Sequence, residues 1–233
     1  PGGTELVLPT PGKNGYLFDG WYLNAEFTGD PITKITESTE MFAKWKFGYA
    51  TIVVNNDAEI ADGDLYYSNF AKKYYVKGST AFSTLAEAIA KVEVDGTIYV
   101  EAGEYAEAAA ITKNGLTILG EEGTVIKGKL SVDANIDGLT IKNLKFTGAA
   151  TIELAAAGGI KNLTFENNVV TQLATEAATF FGFKNDGTAI NEDLTIKGNQ
   201  FLIGEAGKAV RWIRGGNIQD FTVTNNVFEG IPG

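Results

Sequence analysis

The sequence predicts a mostly β protein built as a solenoid, and two observations predict it. The first is a phrase that recurs along the second half of the chain: Leu116-Thr117-Ile118, Leu139-Thr140-Ile141, Leu163-Thr164-Phe165, Leu194-Thr195-Ile196 and Phe221-Thr222-Val223. Its leading apolar residues stand 23, 24, 31 and 27 positions apart, with no room for a helix between strands. The second is the short run behind every copy except the first. Asn143-Leu144-Lys145-Phe146, Asn167-Asn168-Val169-Val170, Gly198-Asn199-Gln200-Phe201 and Asn225-Asn226-Val227-Phe228 form Asn-rich turns with an apolar group behind them, all in register. Alternate side chains of a strand face opposite ways, so Leu139 and Ile141 share one face and Thr140 takes the other. One phrase per coil then stacks apolar residues inside, about 4.8 Å apart, and leaves a ladder of β-branched Thr outside. Asn tolerates left-handed backbone at the turns, and stacked amides hydrogen-bond along the axis. An up-and-down sandwich fits less well, because the phrase keeps one phase throughout.

In chain order, residues 1–47 have a different texture. Leu6-Val7-Leu8 reads as a short strand and Pro9-Thr10-Pro11-Gly12-Lys13-Asn14-Gly15 as a turn-dense loop. Tyr16-Leu17-Phe18-Asp19-Gly20-Trp21-Tyr22, Ile32-Thr33-Lys34-Ile35 and Met41-Phe42-Ala43-Lys44-Trp45 are further strands. Phe18, Trp21, Tyr22 and Trp45 are read as the core of a small module ahead of a sugar-stacking platform, since small domains spend large side chains on burial. Gly15-Tyr16, Phe18-Asp19-Gly20-Trp21-Tyr22 and Ala43-Lys44-Trp45 resemble the signature of the Listeria–Bacteroides, or internalin B-type, repeat. That resemblance implies a small β-grasp-like module of secreted and wall-attached bacterial proteins, here lacking most of its opening strand.

Residues 48–75 read as a connector. Ala50-Thr51-Ile52-Val53-Val54 is a strong strand, and Ile52–Val54 belongs either to the connector or to the first coil. An acidic, turn-prone run from Asn55 to Asp64 follows, then Tyr66, Tyr67, Phe70, Tyr74 and Tyr75. The solenoid is placed at residues 76–233. It opens with a helix: Thr84-Leu85-Ala86-Glu87 is a capping box, Leu85, Ala88, Ile89 and Val92 fall on one face, and Asp95-Gly96 is the expected stop. Thr97-Ile98-Tyr99-Val100 is a strand and Gly103-Glu104-Tyr105 a turn. Such a helix covers the open strand edges of a first coil. This cap and the coils after it look like the right-handed parallel β-helix of the pectin lyase-like superfamily. No cap is evident near Ile231-Pro232-Gly233, which leads us to expect further coils.

Composition narrows the function. The net charge of −10 over 233 residues disfavours nucleic acid and anionic lipid as partners. No run of apolar residues is long enough for a membrane span. Without His or Cys the chain has no Ser-His-Asp triad, thiol nucleophile or His-ligated zinc. Enzymes of the pectin lyase-like group, as the resemblance implies, are mostly polysaccharide lyases and hydrolases using carboxylates, Ca²⁺ and a basic residue. The two arginines here, Arg211 and Arg214, lie in Val210-Arg211-Trp212-Ile213-Arg214. Glu153 stands ten residues before Leu163 and Arg211 ten before Phe221, which predicts a shared register with both side chains outward. Arg214 has the opposite parity to Arg211 unless the strand ends at Ile213. The loop Asn185-Asp186-Gly187-Thr188 is expected to line the same face. The predicted binding set is therefore Glu153, Asp186, Arg211, Trp212 and Arg214, with Arg211 and Glu153 the catalytic candidates. A solvated charge ladder is the plainer account of the same residues. Asp186, Asp193 and Asp220 are the Ca²⁺ candidates, with Asp137 at a similar place. Turn chemistry explains Asp-Gly and Glu-Asp there without a metal.

The expectation is a non-catalytic, adhesin-like binding or spacer segment, extracellular or wall-attached, monomeric, without a cofactor, meeting a host or cell-surface protein or glycan. The alternative is a carbohydrate-active enzyme, a polysaccharide lyase or glycoside hydrolase with Ca²⁺ and a groove on an outward sheet face.

Overall fold

The computed structural model describes residues 6–11, 13, 16–132, 135–148, 152–154, 159–172, 179–182, 191–203, 211–214 and 217–230. The chain divides into two compact units, Pro1–Gly48 and Tyr49–Gly233.

The first unit holds two antiparallel pairs. Leu6–Val7 pairs with Lys34–Ile35, and Tyr16–Tyr22 with Phe42–Phe47. The longer pair shifts register between Phe18 and Gly20. At Gly20 φ is +140°, and a Cβ there would meet the Pro31 ring at 2.6 Å, so only glycine fits the bulge. Phe18 packs edge-on against Trp21 and Trp45, at 5.4 and 5.6 Å, and the Trp21 indole donates to Pro9 O. Asp19 lies 3.3 Å from both Lys44 and Lys46, whose ammonium groups hold its carboxyl below the usual range.

The second unit is mostly β and parallel. Its main sheets have eight, six and five strands. From Thr97–Val100 on, the chain visits them in fixed rotation. Thr97–Val100, Leu116–Gly120, Ile136–Lys142, Ile160–Glu166, Asn191–Lys197 and Ile218–Thr224 enter the eight-stranded sheet. Each is followed by a strand of the six-stranded sheet and, up to Arg211–Arg214, by one of the five-stranded sheet. Every pairing between consecutive passes is parallel. The phrase sets the register: Leu116, Leu139, Leu163, Leu194 and Phe221 lie in one row, as do Ile118, Ile141, Phe165, Ile196 and Val223. The first four members of both rows are buried. Phe221 and Val223, expected to be buried with them, are 39% and 41% exposed. They sit in the outermost strand, which among the described residues has a neighbouring strand on one side only. Outward of these rows Thr51, Thr97, Thr117, Thr140, Thr164, Thr195 and Thr222 form an unbroken ladder.

Thr51–Val54 lies in the eight-stranded sheet, in register with Thr97–Val100. Leu65–Ser68 and Lys73–Val76 form a hairpin whose Tyr66 and Tyr75 pack with Val53 and Tyr99. The helix runs Leu85–Lys91 with the full capping box at Thr84 and Glu87. It stops before the expected Asp95-Gly96, because Val92 already has extended ψ. Leu85, Ala88 and Ile89 are buried against the core, and the helix touches Thr51–Val54, Ala81–Phe82, Thr97–Val100 and Ala109–Ile111. Lys113 Nζ donates to Ala90 O and Val92 O, a cation at the negative end of the helix. Among the described residues, no helix is long and apolar enough to cross a membrane.

Candidate functional site

The Asn turns form a hydrogen-bonded corner of the second unit. Asn143, Asn167, Gly198 and Asn225 each have φ between +56° and +67°, the left-handed region that Asn and Gly accept most readily. The next residue points inward. Asn168 Oδ1 accepts from Leu144 N at 2.9 Å, Asn199 Oδ1 from Asn168 N at 2.8 Å, and Asn226 Oδ1 from Asn199 N at 2.9 Å. Their Nδ2 groups donate to Ile141 O, Phe165 O and Ile196 O. Asn168 and Asn199 are buried, and this ladder satisfies polar groups that water cannot reach.

On the outward face of the eight-stranded sheet the charges pair with one another. Glu166 lies between Lys142, at 2.6 Å, and Lys197, at 3.3 Å. Its pKa is lowered, first by the hydrogen bond from Lys142. Lys161 meets Glu192 at 2.7 Å, and that hydrogen bond raises the lysine pKa. The Thr ladder runs between these rows.

The residues expected to form a site are only partly brought together. Glu153 is in register with Gly182, and Gly182 with Arg214; Arg211 is in register with Thr179. Glu153 therefore shares a row with Arg214 and not with Arg211. The cause is the corner leading to the next phrase, which is three residues shorter after Arg214 than after Glu153, so that counting back from Leu163 and Phe221 lands one strand face off. Trp212 packs against the core, 5.2 Å from Phe201, and Arg214 is exposed. The Arg211 and Glu153 side chains and the whole of Asp186 lie outside what is described.

Asp193 and Asp220 fall in a second left-handed row with Gly115, Gly138 and Asn162. Their backbone conformation accounts for an Asp at each place. Asp137 accepts from Asn162 Nδ2 at 2.7 Å. Among the described residues, no group of three or more Asp or Glu is gathered as a metal would require.

A cleft of about 480 Å³ lies elsewhere, beneath the tip of the Tyr-rich hairpin. Phe70 forms one wall and is held edge-on by Tyr99 at 5.5 Å. Successive turns form the floor, with Asn143 and Asn167 one pass apart and Glu122 and Lys145 exposed beside them. Gly120 is required there, because a Cβ would meet Asn143 O at 2.5 Å. The arrangement combines an aromatic residue, two asparagines and charges of both signs, a set suited to a hydroxyl-rich ligand. Sequence reading placed Phe70 in a connector and missed this cleft. The only hint was the paired aromatics, Tyr66-Tyr67 and Tyr74-Tyr75, on either side of it.

No family model, curated protein or solved structure matches this chain.

Proposed function

We propose that this chain is a non-catalytic binding segment of an extracellular or wall-attached bacterial protein. In this reading the second unit is a right-handed parallel β-helix of the pectin lyase-like kind, capped by the helix Leu85–Lys91, and the first is a partial internalin B-type repeat. The partner is a glycan. The observation that carries the reading is the cleft beneath Phe70, beside a sheet on which Lys142, Glu166, Lys197, Lys161 and Glu192 are already paired with one another. A pyranose ring lies flat on Phe70 while the Asn143 and Asn167 amides meet hydroxyls one coil apart, a repeat close to that of sugars in an extended chain.

Calorimetric titration with neutral oligosaccharides tests this. Saturable binding that falls at least tenfold in Phe70→Ala, with an unchanged circular dichroism spectrum, is the expected result. The enzymatic alternative is tested on polygalacturonate and other uronic-acid polymers, with and without Ca²⁺. New unsaturated or reducing ends that vanish in Arg211→Ala while the fold survives would overturn the non-catalytic reading.

A further inference from the structure

Lys77 is buried, with only 4% of its surface exposed, and has no ion-pair partner among the described residues. A lysine gives up its hydration shell only where something else engages the ammonium. Here Nζ is pressed against the backbone oxygen of Asn55. The Asn55 side chain is held at both ends: its Nδ2 donates to Glu101 Oε2 at 2.5 Å, and its Oδ1 accepts from Asp57 N at 2.7 Å. The other Glu101 oxygen accepts from Ser68 Oγ. Tyr66, Tyr75 and Tyr105 surround this group. Burial raises all three hydroxyl pKa values, Tyr75 to about 12, and the Glu101 charge adds to each. The Tyr66 and Tyr75 hydroxyls are buried without a hydrogen-bond partner among the described residues. Lys77 Nζ thus lies against the main chain of the residue whose side-chain amide is bonded to Glu101, in a pocket walled by tyrosines.

We propose that Lys77 and Asn55 join through an intramolecular isopeptide bond, with Glu101 as the proton carrier. Nζ gives up one proton, which the departing ammonia regains, and attacks Asn55 Cγ while the Asp57 N–H stabilises the charge growing on Oδ1. Once bonded to Cγ, Nζ stands beside Nδ2 and so within reach of the carboxylate already bonded there. Glu101 takes a proton from the attacking nitrogen and passes it to Nδ2. The Cγ–Nδ2 bond breaks and ammonia leaves. Lysine ammonium plus carboxamide becomes a secondary amide plus ammonium, with no oxidant and no cofactor. The cross-link closes the loop carrying the Tyr-rich hairpin, and with it Phe70, onto the sheet.

Intact-mass spectrometry of the purified, denatured chain reads the reaction directly. The expected mass is that of the sequence less one ammonia, and digestion should yield one branched peptide joining the segments that contain Asn55 and Lys77. Lys77→Arg, Asn55→Ala and Glu101→Gln should each restore the full mass. Lys77→Arg should also unfold at lower temperature than the parent chain. A folded parent chain with the full sequence mass overturns the proposal without recourse to any variant. Ammonia loss mapped to another asparagine, or persisting in Lys77→Arg, overturns it equally.

Discussion

Replacing Asn199 by alanine removes the middle of the amide ladder. Its Oδ1 accepts from Asn168 N and Nδ2, at 2.8 and 3.2 Å, and its Nδ2 donates to Phe165 O at 2.9 Å. Asn168 keeps a bond from Nδ2 to Ile141 O, but its N–H loses its acceptor, and Phe165 O loses its side-chain donor. Both lie beside side chains that are at most 1% exposed, where no water can substitute. An orphaned buried polar group costs about 1–3 kcal/mol, so the Asn168 N–H alone places the loss in that range, and the donor lost from Phe165 O adds to it. Leucine does no better, although Leu144 fills the same place one rung before Asn168, because it restores volume and not the acceptor. Asn226→Ala should cost less: Asn226 is half-buried, so water can reach the groups it leaves. Urea unfolding followed by far-ultraviolet circular dichroism gives the difference from the midpoints, and amide exchange at Asn168 localises it. A loss below about 1 kcal/mol for Asn199→Ala, or one no larger than for Asn226→Ala, would refute the claim that the ladder satisfies buried backbone.

Glu166, held below its ordinary pKa of 4.5 by Lys142 and Lys197, stabilises the folded state above that value and loses its contribution as pH falls through the folded one. Stability measured through the carboxylate range should therefore fall less steeply with acid in Glu166→Gln than in the parent chain. Leu163→Ala, in a fully enclosed row, should cost about 2–5 kcal/mol in chemical denaturation. Val223→Ala, at the same phrase but 41% exposed, should cost under about 1 kcal/mol.

The features legible in the sequence were those that depend on local period. The inward rows from Leu116 to Leu194, the Thr ladder, the Asn corner and the capping box at Thr84 arise from alternation, left-handed tolerance and N-cap chemistry, all visible over a few residues. Phe221 and Val223 were misread because burial depends on the neighbours beyond a strand as well as on its pattern. The Glu153–Arg211 register failed because it was counted across a corner of variable length. The Phe70 cleft and the contact of Asn55 with Lys77 and Glu101 were invisible, since each joins segments that meet only after the hairpin folds onto the sheet.

The corners differ in how much they let the sequence change. Leu139 to Lys145, Leu163 to Val169, Leu194 to Gln200 and Phe221 to Val227 are each six residues, and the amide ladder clamps that corner. The corner from the five-stranded sheet back to the phrase takes eight residues from Ser131 to Leu139, ten from Glu153, twelve from Gly182 and seven from Arg214, while the stacked rows stay aligned. Insertions there leave the register untouched, whereas a single insertion at the Asn corner would break a rung on both sides. For an engineer, the first is a place to graft a recognition loop. For a lineage under selection, it is where new specificity can arise without renegotiating the fold.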